Sequence, residues 1–239
     1  MIDTHCHVLP GIDDGPPGIR GSVDLARALA ADGVSEVLAT PHHSRRHPSP
    51  LPEVAAAAAA LRDALSDAGV ALAVHVAAEV APARVLDMDD GDLRRRATPA
   101  GCLLVEAEPP LAAAALAAVC ERVAAAGLRP VVAHPERCRA LHRAPGALDA
   151  LRRNGAWIQV VAPSLAGDED RSVTQAAWRL VESGRADMVA SDAHDDRRRP
   201  PRLAAAAALV ERRLGLAARD ALFRAAPRAM VGAPAGGVS

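Results

Sequence analysis

The chain has 239 residues, a formal net charge of −1 and 50% hydrophobic residues, a length that suits one moderately large domain or an α/β barrel. The even charge balance gives no global basic field for nucleic-acid binding, and no run of roughly 18 apolar residues is present that would insert into a membrane. The N-terminus has no basic region followed by an apolar core, so we predict no signal peptide and a cytoplasmic protein.

Short β-branched runs alternate with segments of helical periodicity. The predicted strands are residues 1–5, 36–40, 71–78, 102–106, 130–133, 157–161 and 188–191. The predicted helices are residues 22–32, 52–68, 111–126, 145–154, 172–183 and 202–214. Strands that alternate with helices predict an α/β fold with parallel strands. We expect one domain over residues 1–231 and a flexible tail over residues 232–239.

Polar residues gather where the predicted strands end. The clusters are His5 and His7 followed by Asp13 and Asp14, then His42, Glu79, Glu106 with Glu108, His134 with Glu136 and Arg137, and Asp192 with His194. In a parallel barrel the C-terminal ends of the strands form one face, where active sites are built. Side chains alternate along extended backbone, so His5 and His7 point the same way and Cys6 points into the core.

Imidazole and carboxylate groups together are typical ligands for divalent ions such as Zn, Fe(II) and Mn. One His-x-His at a strand end is a weak signal, but the joint placement of these groups favours a metal site. Their number exceeds what one ion needs and predicts a cluster with ions roughly 3.5–4 Å apart.

Other polar residues fit ordinary roles. We expect His75 to pack or lie on the surface, and His43, His47 and His142 to be solvated or to support ligands. We expect residues 94–96 to form a solvated face. Residues 197–199 are expected to form a solvated loop or a phosphate clamp.

Six stretches carry a family resemblance, in family order and over nearly the whole chain: MIDTHCHVLPGIDDGP, ATPHH, AAEV, LLVEAE, PVVAHPER, and ASDAH with the RPP that follows. The chain resembles the PHP (polymerase and histidinol phosphatase) superfamily. Within it, the chain is similar to the bacterial manganese-dependent tyrosine phosphatases of capsule and exopolysaccharide loci. Glu106 stands where histidinol-phosphate-type relatives commonly carry histidine, which favours the tyrosine phosphatase branch.

The resemblance implies a distorted (β/α)7 TIM-like barrel, the PHP fold, with a centre of two or three ions of Mn²⁺, or of Fe or Zn. The positions that match family ligands are His5, His7, Asp14, His42, Glu79, Glu106, His134, Asp192 and His194. The phosphate-binding arginines of the family match Arg137 and Arg199. With Asp14, these two arginines are the catalytic candidates.

The function that this resemblance implies is hydrolysis of phosphotyrosine by attack of a metal-activated hydroxide, with no covalent enzyme intermediate. The expected partner is the phosphotyrosyl tail of a polysaccharide-assembly tyrosine kinase or another phosphoester, and a homo-oligomer is compatible with the sequence. An alternative is a PHP phosphatase of a small metabolite, of the histidinol phosphate or nucleotide type. Cys138 in place of the family's tyrosine after HPER, and the short acidic segment 162–174, keep that alternative open. A binding module without catalysis is disfavoured because the ligand set is intact.

Cysteine-dependent tyrosine phosphatases need an arginine six residues after the nucleophilic cysteine. The sixth residues after Cys6, Cys102, Cys120 and Cys138 are Ile12, Glu108, Ala126 and Ala144. The sequence therefore excludes a thiolate mechanism of that kind. We expect all four cysteines to be reduced and mostly buried.

Overall fold

A computed structural model describes residues 1–107, 112–142 and 144–232. Outside the described residues lie Glu108, residue 111 at the start of the helix predicted at 111–126, and residues 233–239 of the predicted tail. The strands are β1 (Ile2–Cys6), β2 (Glu36–Ala39), β3 (His42–His43), β4 (Ala73–Val76), β5 (Glu79–Val80), β6 (Cys102–Glu106), β7 (Arg129–Ala133), β8 (Trp157–Val161) and β9 (Met188–Ala190). All of their pairings are parallel, which confirms the predicted α/β class.

The strands form two sheets, in the orders β1-β2-β4 and β3-β5-β6-β7-β8-β9. The chain passes from β2 into β3, and from β4 into β5, after two residues each, so the sheets share two bent strands. At the other side, the backbone N–H of Asp192 donates to His5 O at 2.8 Å and that of His7 donates to Ala193 O at 2.9 Å, which joins the ends of β9 and β1. Seven strands therefore follow one another in a ring with irregular seams, as expected for a distorted barrel.

The strands predicted at 36–40 and 71–78 correspond to β2 and β4, but each is followed after a two-residue bend by a short strand, β3 or β5, that was not predicted. Pro41 interrupts the first, since proline has no N–H to donate to a neighbouring strand. In the second, the N–H of Ala78 donates to Arg96 O at 3.0 Å, outside the sheet. These bends lie just before His42 and Glu79, so they set where both side chains enter the barrel mouth.

The six predicted helices are present, with ends within three residues of the prediction in the described ranges. The helices are α1 (Ile19–Ala31), α2 (Leu51–Asp67), α3 (Pro82–Asp87), α4 (Asp90–Arg96), α5 (Ala113–Ala125), α6 (Arg139–His142), α7 (Pro145–Arg153), α8 (Ala162–Ala166), α9 (Arg171–Glu182), α10 (Leu203–Leu214), α11 (Leu216–Asp220) and α12 (Ala226–Val231). A 3₁₀ turn covers Pro135–Arg137 and a π-helical turn covers Ala221–Ala225. In the described ranges, no helix combines the length and the apolar composition that crossing a bilayer requires.

Strand residues alternate between two apolar regions, as extended backbone requires. Leu103 and Val105 pack outward among helix residues, whereas Leu104 packs with Met188 and with Met230 of α12. The second group fills the barrel beneath the polar residues at its mouth. Cys6 is fully buried in the outer core, which confirms its predicted place, and the other three cysteines are also buried.

Candidate metal centre

Glu79 lies at the middle of the barrel mouth and is fully buried. Its Oε1 is 2.8 Å from Nε2 of His134. Its Oε2 is 3.0 Å from Nδ1 of His42, 3.2 Å from Nε2 of His5 and 3.4 Å from Nε2 of His7, yet it makes no well-aligned hydrogen bond. Several nitrogens and a carboxylate oxygen thus point at a shared space rather than at one another, as ligands of a common cation do.

The protonation of His5 and His7 follows from their other ring nitrogens. The side-chain N–H of Gln159 donates to Thr4 Oγ1 at 2.9 Å, which turns Oε1 of Gln159 toward Nδ1 of His5, also at 2.9 Å. Nδ1 of His7 lies 2.7 Å from the carboxylate of Asp13. With the ring proton of each histidine on Nδ1, the two Nε2 atoms, which face each other at 3.2 Å, can present lone pairs to a cation. Two lone pairs at this distance fit a cation between them, with outer carboxylate and amide groups that orient the rings.

A second part of the site lies nearer to solvent. Nδ1 of His194 is 2.9 Å from the backbone O of Asp192, and its Nε2 lies 3.2 Å from Asp14 Oδ1. Nε2 of His42 is 3.5 Å from the same oxygen. Because 44% of the Asp14 side chain is exposed, this is the open edge of the site.

The structure brings all nine predicted ligands together. Four overlapping groups present ligand atoms that lie within 4.8 Å of one another: His7, Asp14, His42 and His194; His5, Glu79 and His134; His5, His7 and Asp192; and His42, Glu79 and Glu106. Sharing of residues between the groups is what a cluster of several ions requires. The donor set, nitrogen and oxygen without sulfur, fits borderline and hard divalent ions.

The buried carboxylates of the site are anionic. Burial disfavours charge on Asp192, but the neighbouring His7, His5 and Arg137 hold its pKa well below the usual range. Burial likewise opposes charge on Glu79, and the surrounding histidines hold its pKa well below the usual range. In return, despite burial, the carboxylates of Asp13, Asp192 and Glu79 raise the pKa of His7 well above its usual value. The ionised carboxylates thus favour positive charge at this place, supplied either by protonated His7 or by divalent cations.

Two arginines meet the rim of the site at Asp192. Oδ2 of Asp192 accepts from Nη1 of Arg137 at 2.5 Å and from Nη2 of Arg199 at 2.8 Å, while Oδ1 of Asp192 faces His5 and His7 at 3.5 and 3.4 Å. One carboxylate therefore connects the ligand cluster to both candidate phosphate-binding groups.

Strained backbone occurs within the site. His134 and Asp192 adopt positive φ values of 34° and 53°, a conformation that costs non-glycine residues about 1–3 kcal/mol and clusters at functional sites. The 3₁₀ turn that follows His134 carries Arg137. The strain therefore sits where the chain aims ligands and an arginine into one space.

Three residues that support the site received no individual role from the sequence, namely Asp13, Gln159 and Glu169. Asp13 stood in the DDG stretch, but the sequence does not show which of its two aspartates faces the ions. Gln159 has the inward parity of strand β8, which is a usable signal. Glu169 contacts Arg137 across a loop that no local pattern predicts.

Several minor predictions are settled by burial. His43 was predicted to be solvated or supporting, and the solvated option is wrong: it is buried beside Arg84, and burial together with Arg96 lowers its pKa to about 4. The solvated face predicted at residues 94–96 is wrong at Arg96, which is buried, while its two neighbours are exposed. His75 is half-buried against Glu36 at 3.1 Å. The side chain of His142 lies outside the described part of the chain.

Comparison with known proteins identifies the family. A family model for capsular polysaccharide synthesis, CpsB/CapC, matches residues 1–232. The chain belongs to this family. Among CpsB/CapC relatives, the tyrosine-protein phosphatase YwqE of Bacillus subtilis is 32% identical over 203 residues, which cover 82% of this chain and 78% of the relative.

Solved structures agree with this assignment. A chain from the crystal structures of two metal-dependent tyrosine phosphatases, YwqE from Bacillus subtilis and CpsB from Streptococcus pneumoniae, matches with a TM-score of 0.79 and 29% identity over 92% of this chain and 90% of its own length. A mutant organophosphorus hydrolase from Deinococcus radiodurans matches with a TM-score of 0.56 and 15% identity over 96% of this chain and 92% of its own. The second match shows a shared fold alone, that of a barrel hydrolase.

Proposed function

We propose that this chain is a metal-dependent protein-tyrosine phosphatase that acts on the phosphotyrosyl tail of a bacterial tyrosine kinase of capsule or exopolysaccharide assembly. The observation that carries the proposal is the position of Asp192, whose Oδ1 faces the His5–His7 pair and whose Oδ2 binds Arg137 and Arg199. A phosphomonoester that reaches this point meets cation ligands on one side and two guanidinium groups on the other. The family and its YwqE and CpsB relatives support the phosphotyrosine assignment.

The residues that would hold the ions are the nine that form the four overlapping groups. We expect two or three ions of Mn²⁺, with Fe or Zn as other occupants, since the donors are imidazole and carboxylate without thiolate. Bound there, such ions lower the pKa of water and neutralise the phosphoryl charge.

The two arginines would bind the phosphoryl oxygens. Guanidinium groups form two-pronged, charge-assisted hydrogen bonds with phosphate. Arg137 is mostly covered and fixed by carboxylates, whereas 43% of the Arg199 side chain is exposed. Arg137 would therefore fix the phosphate and Arg199 would close over it from the solvent side.

Asp14 would serve as a metal ligand rather than as a general acid. His194, and to a smaller extent His42 and His7, hold the pKa of Asp14 well below its usual range. An ionised carboxylate has no proton to give to a leaving group at neutral pH. Phenolate is a tolerable leaving group with less need for acid catalysis than an alkoxide, which fits a tyrosine phosphatase.

The test is phosphate release by the purified, Mn²⁺-loaded protein from a phosphotyrosyl peptide beside histidinol phosphate, each with and without chelator. We expect chelator-sensitive release with a strong preference for the peptide. Preference for histidinol phosphate would keep the metal chemistry and replace the substrate class. Release from neither substrate would contradict the proposal.

A further inference from the structure

Arg137 is held by two carboxylates from different parts of the chain. Its Nε and Nη2 donate to Glu169 Oε1 at 2.8 and 2.5 Å, and its Nη1 donates to Asp192 Oδ2 at 2.5 Å. A guanidinium group has five N–H donors, and these three contacts leave one donor on each terminal nitrogen. Two donors on adjacent nitrogens suit two oxygens of one phosphate.

The corner between α8 and α9 fixes the position of Glu169. Gly167 follows the last residue of α8 and has a φ of 87°. The N–H groups of Gly167 and Asp168 both donate to Pro163 O, at 3.1 and 3.0 Å. The side chain of Asp168 pairs with Nε of Arg202 at 2.9 Å. Anchored on both sides, Glu169 keeps 22% of its side chain exposed and reaches Arg137 across the rim.

A carboxylate beside a phosphate site has two opposing effects. It repels the incoming dianion, and it removes the rotational freedom that the arginine would otherwise lose on binding. Here Glu169 is already paired with Arg137 through two of its donors, which reduces the repulsion, and Asp192 alone would hold Arg137 through one nitrogen. These contacts favour the ordering effect over the repulsion.

We propose that Glu169 is a positioning residue that holds the Arg137 guanidinium in the orientation that receives the substrate phosphate. This inference rests on the proposed function, since it assigns Arg137 to the phosphate. It gives the acidic segment after β8 a role in catalysis through Arg137 rather than in metal binding.

The test compares variants of the Mn²⁺-loaded protein. Binding of inorganic phosphate is measured by calorimetry, and turnover is measured on a phosphotyrosyl peptide. Glu169→Ala is expected to weaken phosphate binding about 10-fold, the scale of lost outer-sphere orientation, and to raise KM with the metal content unchanged. Glu169→Gln keeps a carbonyl that accepts from Nε and Nη2, so it is expected to restore most of the affinity. Asp170→Ala is the matched control: Asp170 is exposed on the same loop, and its side chain makes no capping hydrogen bond.

Arg137→Ala, alone and combined with Glu169→Ala, separates the possible failures. If Glu169 acts through Arg137, Glu169→Ala has no further effect once Arg137 is gone. Normal phosphate binding by Arg137→Ala would overturn the role of Arg137 in the proposed function. Two outcomes would overturn the inference about Glu169 and leave the proposed function standing. In the first, Arg137→Ala binds phosphate weakly but Glu169→Ala binds it normally or more tightly. In the second, Glu169→Ala reduces phosphate affinity equally in the wild-type protein and in Arg137→Ala.

Discussion

Asp13 is a buried carboxylate that touches two candidate ligands without belonging to any of the ligand groups. Its Oδ2 accepts from Nδ1 of His7 at 2.7 Å and from the backbone N–H of His42 at 2.9 Å, while its Oδ1 accepts from the N–H of Gly15 at 3.0 Å. Replacement of Asp13 with asparagine keeps the shape of the side chain and exchanges one acceptor oxygen for a donor. We predict that Asp13→Asn weakens metal binding although no ligand is removed.

The size of the effect follows from these three contacts. If the amide oxygen of the introduced asparagine keeps His7 and His42, its NH₂ group faces the N–H of Gly15, and one donor is left unpaired at a cost of about 1–3 kcal/mol. Loss of the negative charge also makes His7 a weaker ligand. Outer-sphere changes of this kind reduce metal affinity about 10–100-fold, which is about 1.4–2.7 kcal/mol.

The assay is a competition between the protein and a chelator for Mn²⁺, followed by turnover at saturating Mn²⁺. Asp24→Asn is the matched control, since 41% of the Asp24 side chain is exposed on α1, where it pairs with Arg27 at 3.2 Å. Thermal unfolding of the metal-free proteins separates loss of fold from loss of affinity. Mn²⁺ affinity of Asp13→Asn within about twofold of the wild-type value would refute the reasoning, since the outer-sphere loss is about 10-fold or more.

Three further predictions concern a glycine turn, the metal site and the cysteines. Gly15→Ala places a Cβ 2.1 Å from His7 O and is expected to destabilise the protein by about 1–3 kcal/mol. Gly18→Ala is the control, because a Cβ at that position meets open space, and it is expected to leave the unfolding midpoint unchanged. Equal unfolding midpoints for the two variants would show that the turn at Gly15 adjusts to the added Cβ. Mn²⁺ at about 100 times its Kd is expected to stabilise the protein by about 2.7 kcal/mol per site. This raises Tm by about 5–11 °C in a chain of this size. A Tm that chelator does not lower would contradict a metal site. Iodoacetamide at neutral pH is expected to leave turnover unchanged, because burial raises the pKa of Cys6 well above its usual value and that of Cys120 to about 12. Loss of turnover on alkylation of one thiol would contradict this prediction.

The sequence predicted the fold class because strand and helix periodicities are local properties. The helix predicted at 52–68 agrees with α2 (Leu51–Asp67) within one residue at each end. The bends at Pro41 and Ala78 were not predicted, since they depend on which partner each N–H finds in three dimensions. Helices α3 and α4 were missed because segments of six and seven residues carry little periodicity.

The convergence of the candidate ligands followed from one topological rule, that parallel strands bring their C-terminal ends to one face. Which side chains support the ligands did not follow from it. Gln159 orients His5 across 154 residues and Glu169 holds Arg137 across 32, and contacts at such separations leave no periodic trace. Exposure was equally hard to predict at Arg96, which is buried although it ends a run of three arginines.

The most direct test of the central claim is kcat/KM for a phosphotyrosyl peptide with the wild-type protein and with a His5→Ala/His7→Ala variant. Both proteins are stripped with chelator, checked for fold by circular dichroism, and reloaded with Mn²⁺. The account predicts that the stripped wild-type protein is inactive, that Mn²⁺ restores it, and that the variant stays inactive at every Mn²⁺ concentration. Full activity in the variant, or in the stripped wild-type protein, would contradict a metal-dependent phosphatase.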